Sequence, residues 1–259
     1  MDTGTIIGAL VAVGAILLGL FLEGGKMAQV LQPTAALIVF GGTLGAIMVQ
    51  FPLDVVVTAF RSIATIFFVP KTEPRGIIGE IVALAHKARK QGIVSLDADL
   101  ESVTDPFLKK SLMLAVDGTE PQELRKMMEL EMETRAEHEE NSPRVFESAG
   151  AFSPTIGIIG AVLGLIQVMQ HLDDINEVGR GIAVAFVATL YGVGAANLVL
   201  LPSAGKLRIR ILEEQVVREM MLEGVISIME GMNPRMIEAK LFSYWADMPY
   251  RAKERGVAA

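Results

Sequence analysis

The feature that most constrains this chain is a set of four stretches without any Asp, Glu, Lys or Arg. They are residues 3–22, 27–53, 148–172 and 181–205 of a 259-residue sequence. Each is long enough to hold the roughly 20 apolar residues with which a helix crosses a hydrocarbon core about 30 Å thick. Because a bilayer offers no water to bond backbone groups, such segments are expected to be helical. The sequence therefore predicts an all-α polytopic membrane protein with four transmembrane helices.

The four spans are predicted to form two hairpins. The first hairpin covers residues 1–52 and contains the spans 4–22 and 33–51. The second covers residues 149–202 and contains the spans 152–170 and 181–201. We expect Pro154 to stand at the start of the third span, because a missing N–H is tolerated in the first turn of a helix. Pro202 is expected to mark the exit of the fourth span.

The charged residues are concentrated in the two remaining segments, 53–148 and 203–259. All of the 23 Lys and Arg residues except Lys26 and Arg180 lie there. The positive-inside rule places both segments in the cytoplasm, and an even number of spans then leaves both termini cytoplasmic. The loop between spans 2 and 3 and the C-terminal tail are therefore expected to form a helical cytoplasmic domain.

Apolar periodicity predicts three helices in this cytoplasmic domain. They cover residues 77–90, residues 121–140 and residues 207–232. Pro121 suits the first position of the second helix, where acidic side chains also favour the positive end of the helix dipole.

Composition excludes several classes of function. A net charge of −7 and a pI near 5.1 argue against a nucleic-acid partner, which requires a basic surface. The chain contains no cysteine, and its three histidines show no metal-ligand spacing. No catalytic motif is present, so neither an enzymatic activity nor a cofactor is expected. The spans also lack ionisable side chains, so an ion relay would need a carboxylate from another chain.

Small and polar residues in the last two spans are the candidate functional positions there. Gly160, Gly164 and Gly192 allow close helix packing, because van der Waals contact replaces the hydrophobic effect inside lipid. Thr155, Thr189 and Tyr191 are polar candidates for an ion pathway. A lone threonine such as Thr189 more often bonds a backbone carbonyl one turn back, and that alternative stays open.

A second candidate lies in the cytoplasmic segment, where Arg89 and Lys90 precede Asp97. This pattern fits a docking surface for a charged partner protein, in which complementary charges set the association rate and the register. It equally fits a solvated helix end whose cations complement the helix dipole.

With these residues in view, the chain resembles the MotA/PomA family, the stator subunits of the bacterial flagellar motor. The resemblance rests on Ser-Pro-Thr-Ile-Gly-Ile-Ile-Gly-Ala-Val-Leu-Gly-Leu at residues 153–165, on Val-Ala-Thr-Leu-Tyr-Gly at 187–192 and on Leu-Pro at 201–202. The motifs of the third and fourth spans are shared in part with the ExbB/TolQ energy-transducing family. The N-terminal hairpin and the charged run at 87–97 favour MotA/PomA.

The resemblance implies a homopentamer around a dimer of a MotB-type single-span partner in the bacterial inner membrane. The partner's membrane Asp would carry the ion, and the complex would turn ion-motive force into torque on the rotor protein FliG. The family's functional prolines correspond to Pro154 and Pro202, and its pore-side threonine to Thr189. Its rotor-facing charges correspond to Arg89 and to Asp97, where the family often has Glu.

The transported ion is expected to be H+ rather than Na+. Sodium-type members of the family tend to carry Thr where Ala161 stands, and a methyl group cannot ligate a hard cation through oxygen. Two alternatives remain at this point: an ExbB/TolQ-like proton channel subunit, for which three spans are expected, and a membrane scaffold that conducts no ions.

Overall fold

A computed structural model describes residues 3–67 and 74–246, and within these ranges the chain contains helices, turns and connections but no strand. Four helices are long and apolar enough to cross a membrane. These findings confirm the predicted all-α fold with four candidate spans. The last part of the predicted cytoplasmic tail, residues 247–259, lies outside the described residues.

The helices follow one another with short connections. In chain order they are α1 Thr3–Leu22, α2 Met27–Val30, α3 Pro33–Gln50, α4 Leu53–Phe67, α5 Pro74–Gln91, α6 Pro106–Val116, α7 Pro121–Gln170, α8 Ile175–Met229 and α9 Pro234–Ala246. A 3-10 segment, Ile93–Asp99, lies between α5 and α6, and wider π-helical turns interrupt α3 at Leu37–Gly41 and α8 at Ala196–Leu200.

The chain divides into two compact units. The first, here called the membrane unit, comprises residues 1–70 and 140–208, and the second comprises residues 71–139 and 209–259. The sequence places residues 53–67 and 140–148 in the cytoplasmic region, and the structure packs them within the membrane unit. The positions at which the chain enters and leaves the bilayer stay predictions.

Two groups of buried apolar side chains hold the membrane unit together. The α3–α8 cluster consists of Ala35, Val39, Val187 and Ala188. The α4–α7 cluster consists of Ile47, Val56, Ala59, Ile66, Val145, Phe146, Ala149, Ala204 and Leu207. Many other apolar side chains of the spans are exposed, as expected for helices that face lipid.

An arginine joins α7 and α8 at the charged end of the membrane unit. The guanidinium of Arg208 donates hydrogen bonds to Glu140 at 2.5 Å and to Glu147 at 2.6 Å. Both acceptors lie on α7, so one planar cation ties two helices together, a geometry that suits arginine better than lysine.

The second unit has its own apolar core. Side chains of α5, α6 and α9 pack against the first turns of α7 and the last turns of α8, with Leu108, Leu124, Met220 and Leu241 fully buried. Tight turns connect these helices: Gly118 and Gly231 have φ of +85° and +69°, which only glycine adopts without strain.

Ion pairs link the helices of this unit at the edges of its core. Glu223 accepts hydrogen bonds from Lys240 and Arg125, and Glu139 from Arg218 and Arg135. Burial acts to raise the pKa of Glu139 and of Glu223. The hydrogen bonds and the positive charges outweigh burial, so both pKa values lie below the ordinary value.

Several predicted boundaries are wrong. Pro154 stands inside α7 rather than at a helix start. The helix α8 continues through Pro202, and the exit of the fourth span from the membrane at this proline stays a prediction. Neighbouring helices make such prolines tolerable in membrane segments. The segment between residues 140 and 152 also continues α7, since Val145, Phe146 and Ala149 are buried in the α4–α7 cluster. The last predicted cytoplasmic helix ends at Met229 rather than at residue 232.

The helix that contains the predicted fourth span begins before that span. It starts at Ile175, where the carboxylate of Asp174 accepts a hydrogen bond from Asn176 N at 2.9 Å and caps the helix. By contrast, the predicted helix starts at Pro33 and Pro121 are correct.

Candidate functional site

The last two spans contact each other through a face of small residues. A Cβ atom at Gly160 would lie 2.7 Å from the Cβ of Ala188, and one at Gly164 would lie 2.7 Å from the carbonyl oxygen of Gly181. A Cβ at Gly192 would lie 2.6 Å from the carbonyl oxygen of Ser153. All three positions named from the sequence therefore lie where the backbones of α7 and α8 approach too closely for any larger side chain.

Two other glycines also stand at close helix contacts, Gly157 between α7 and α8 and Gly42 between α3 and α7, and the sequence pattern does not single them out. A Cβ at Gly157 would lie 2.9 Å from the carbonyl oxygen of Ala188, and one at Gly42 would lie 2.8 Å from Ile156 Cγ2. Conversely, a Cβ at Gly45 would lie in open space, with no neighbouring atom within 4 Å, although this glycine belongs to a Gly-x-x-x-Gly motif. Spacing alone therefore does not identify which glycines make contacts.

The proline and threonine named on α7 lie beside this contact. The Cα of Pro154 lies 3.2 Å from the position of a Cβ at Gly192, so the proline faces α8. Thr155 is exposed, and its hydroxyl donates a hydrogen bond to the carbonyl oxygen of Phe152 at 2.7 Å. Ala161, two turns further along α7, is half-buried.

On α8, Thr189 is half-buried and donates a hydrogen bond to the carbonyl oxygen of Ala185 at 3.2 Å. This is the back-bonded arrangement that a threonine in a helix commonly adopts. A threonine bonded in this way keeps its oxygen lone pairs available as acceptors. Pro202 is exposed, near the end of the membrane unit.

Tyr191 has a role that the sequence does not reveal. Its hydroxyl donates a hydrogen bond to the carbonyl oxygen of Val30 and accepts one from the backbone N–H of Gln32. Its ring stacks on Phe40 with centroids 5.9 Å apart. The hydroxyl is thus used to hold the connection before α3. Only the fold brings residues so distant in sequence together, and no local signal predicts the pairing.

The candidate docking surface lies in the second unit, where α5 ends. Gly92, with φ of +85°, turns the chain into the 3-10 segment, and Lys87 pairs with Asp99 at 2.7 Å. Arg89, Lys90 and Asp97 are exposed. Within the described parts of the chain these three side chains have no ion-pair or hydrogen-bond partner, so their charges are available to another molecule.

Two family models match consecutive segments of the chain. Residues 6–92 match the family model described as motility protein A N-terminal, and residues 99–220 match that of the MotA/TolQ/ExbB proton channel family. Motility protein A of Bacillus subtilis is 36% identical over 94% of this chain and 91% of its own. Chemotaxis protein PomA of Vibrio alginolyticus is 30% identical over 94% of this chain and 95% of its own.

Solved structures show the same similarity in three dimensions. The flagellar MotAB stator complex from Bacillus subtilis matches with a TM-score of 0.87 and 34% identity, over 99% of this chain and 100% of the compared chain. The C. jejuni MotAB structure matches with a TM-score of 0.89 and 31% identity, over 94% and 96%. The chain is a multi-pass membrane protein, and it belongs to the motility protein A group of the MotA/TolQ/ExbB proton channel family.

Proposed function

We propose that this chain is a stator subunit of the bacterial flagellar motor, which forms an ion channel with a MotB-type single-span partner and generates torque. The observation that carries the proposal is its similarity to stator chains over nearly its whole length. A match over residues 6–92 to the motility-specific N-terminal model favours this function over that of an ExbB/TolQ-like subunit. The family acts as a channel and motor component, not as an enzyme.

The proposed assembly is a pentamer of this chain around a dimer of the partner, in the bacterial inner membrane with both termini in the cytoplasm. The spans contain no Asp, Glu, Lys, Arg or His, so the carboxylate that binds the ion is proposed to belong to the partner. The exposed apolar side chains of the spans and the concentration of Lys and Arg outside the spans support this placement.

The α7–α8 contact supports a pathway for protons alongside these two helices. Small residues keep the helices close, and Pro154, Thr155, Ala161, Thr189 and Pro202 are the positions proposed to line or shape the path. Neutralising the partner's Asp lowers the cost of placing it against an apolar wall. Binding and release of the proton then bias the rotation of the pentamer around the partner.

Torque is proposed to reach the rotor protein FliG through Arg89, Lys90 and Asp97. Support comes from their exposure and from the absence of partners within the described part of the chain. The Lys87–Asp99 ion pair links α5 to the 3-10 segment, the two elements that carry these charges.

A deletion strain tests the proposed function. Cells that lack this chain are expected to assemble flagella but not to rotate them, and expression of the wild-type chain should restore swimming. Affinity purification of the chain should recover a single-span membrane protein. Normal swimming in the deletion strain, when no second stator gene is present, would refute the stator function. A non-conducting scaffold would give no proton flux when the complex is reconstituted in vesicles.

A further inference from the structure

The membrane unit contains two buried hydroxyl groups, those of Thr43 and Ser153, beside its apolar clusters. On α3 the buried positions are Ala35, Val39, Thr43 and Ile47, four residues apart. The first two belong to the α3–α8 cluster and Ile47 belongs to the α4–α7 cluster, whereas Thr43 is the one polar residue among the four. Thr43 therefore interrupts an otherwise apolar stripe in the middle of the span.

Ser153 is the matching interruption on α7. It is fully buried, with a relative exposure of 0%, and it follows the apolar cluster residue Ala149 by one turn. Thr43 is 6% exposed. We call Thr43 and Ser153 together the polar layer.

The antiparallel register of α3 and α7 places the two hydroxyls at nearly the same level. A Cβ at Gly42 would lie 2.8 Å from Ile156, and the amide of Gln50 donates a hydrogen bond to Ser148 Oγ at 3.2 Å. Both contacts correspond to the same antiparallel alignment of α3 and α7, in which Thr43 lies opposite residue 155. Ser153 is two residues away from that position, an offset of about 3 Å along the helix axis at 1.5 Å per residue.

Neither hydroxyl of the polar layer has a hydrogen-bond partner within the described residues. Thr155 and Thr189 differ, because each donates to a carbonyl of its own helix. Buried hydroxyls in native proteins are generally satisfied either by protein groups or by ordered water. Two unsatisfied hydroxyls at one level therefore point to a small polar ligand between the helices.

The two hydroxyls of the polar layer are sufficient to hold a water molecule. A buried water molecule needs two to four polar partners, and each of the two hydroxyls can both donate and accept a hydrogen bond. The layer carries no formal charge and few oxygens, which makes it unsuitable for a dehydrated metal cation.

We propose that the polar layer binds a buried water molecule within each subunit, held by the hydroxyls of Thr43 and Ser153. The site lies next to Pro154 and hydrates the bundle interior at the level of that proline. The inference rests on burial, register and unsatisfied hydroxyls, and it is independent of the proposed motor function.

Water-edited solid-state NMR of the full chain, reconstituted in lipid with its partner, detects such a site directly. Magnetisation from water protons is expected to reach the side chains of Thr43 and Ser153 but not that of Val39, which is buried in an apolar cluster. If transfer to Thr43 and Ser153 is as weak as transfer to Val39, the site is dry and the proposal is wrong.

Thermal unfolding of variants that lack one of the two hydroxyls gives a second test. Removing a hydroxyl bonded to water leaves the water with fewer partners, so Thr43→Val and Ser153→Ala should each lower the melting temperature by about 2–4 °C. A dry, unsatisfied hydroxyl predicts the opposite, since an apolar replacement then removes a penalty. Unchanged or raised melting temperatures would overturn the proposal, and Thr155→Val, at an exposed position, is the control.

Discussion

The hydroxyl of Tyr191 donates a hydrogen bond to the carbonyl oxygen of Val30 at 2.5 Å and accepts one from the backbone N–H of Gln32 at 3.3 Å. Val30 is the last residue of α2, and Gln32 directly precedes α3. One side chain on the fourth span thus satisfies two backbone groups in the connection between the first two spans. Such groups are costly when left unpaired away from water.

Replacement of this tyrosine tests the value of the two hydrogen bonds. Tyr191→Phe keeps the ring that stacks on Phe40 and removes only the hydroxyl. We expect a loss of about 1–3 kcal/mol in stability, because two half-buried backbone groups lose their partner. The melting temperature of the purified complex measures the effect. Phe40→Leu, which removes the stacking alone, is the matched control, and an unchanged melting temperature for Tyr191→Phe would contradict the assignment.

Glycine positions at the α7–α8 contact should not tolerate even a methyl group. A Cβ at Gly164 would lie 2.7 Å from the carbonyl oxygen of Gly181 and 2.9 Å from Ala185 N, both of them backbone atoms. We expect Gly164→Ala to cost about 1–3 kcal/mol through overpacking. Gly45→Ala, where nothing lies within 4 Å, should be neutral or stabilising by up to about 1 kcal/mol. Equal melting temperatures for the two variants would show that the contact is looser than described.

Charge reversal on the proposed docking surface should impair motility without unfolding the chain. Exposed charges contribute only about 0–1 kcal/mol to stability, whereas like charges across an interface cost several kcal/mol. We therefore expect Arg89→Glu to reduce swimming at normal membrane abundance and retained proton conduction, and Asp97→Lys to act more weakly.

Two comparisons separate a docking defect from other causes. An opposite charge reversal on the rotor should partly restore swimming of Arg89→Glu cells. Lys126→Glu changes another exposed cation of the same unit and should have little effect, since Lys126 is 74% exposed and its nearest carboxylate lies 3.9 Å away. If Arg89→Glu cells swim normally, the solvated-helix interpretation is correct.

Swimming should follow the proton gradient and be insensitive to external sodium. The physical basis is the methyl group of Ala161, which offers no oxygen to a sodium ion, together with the absence of carboxylates from the spans. Swimming speed is measured with and without sodium at constant membrane potential, and a protonophore should stop rotation in both conditions. A requirement for sodium would overturn the choice of ion and leave the stator function standing.

Acid should destabilise the second unit through Glu139 and Glu223. Their pKa values in the folded chain lie below the ordinary value of 4.5, so both carboxylates stabilise the fold when ionised. This stabilisation is fully present above about pH 4.5 and is lost as the pH falls through the lower, folded-state pKa values. Melting temperatures measured between pH 7 and pH 3 should therefore fall at the acidic end.

A variant identifies the group responsible for this acid sensitivity. Glu223→Gln should lower stability at neutral pH by about 1–3 kcal/mol and reduce the acid sensitivity, because Lys240 and Arg125 lose a charged acceptor. Glu133→Gln, at an exposed carboxylate, should leave the profile unchanged. Identical profiles for wild type and Glu223→Gln would assign the acid sensitivity to other groups.

The number of spans, the helical class and the family can be predicted from the sequence. Charge-free stretches indicate helices that cross a membrane, and short motifs indicate the family, and both are local features of the chain. Helix ends were less predictable where tertiary contacts overrule local signals. Pro154 looks like a helix start in isolation, yet α7 runs through it because Phe146 and Ala149 are buried against other helices. The early start of α8 depends on a cap from Asp174, a residue that reads equally well as part of a loop.

The composition of the spans and of the charged segments is visible in the sequence: no carboxylate in the spans, an alanine at position 161, and charges at Arg89 and Asp97. Which side chains contact each other depends on the tertiary structure. Tyr191 binds the backbone beside α2, Gly157 rather than Gly45 lies at a helix contact, and Thr43 and Ser153 stay without partners among the described residues at one level of the bundle. The physical reason is that hydrogen bonds and close packing depend on distances between residues far apart in the chain, and those distances are set only when the helices pack.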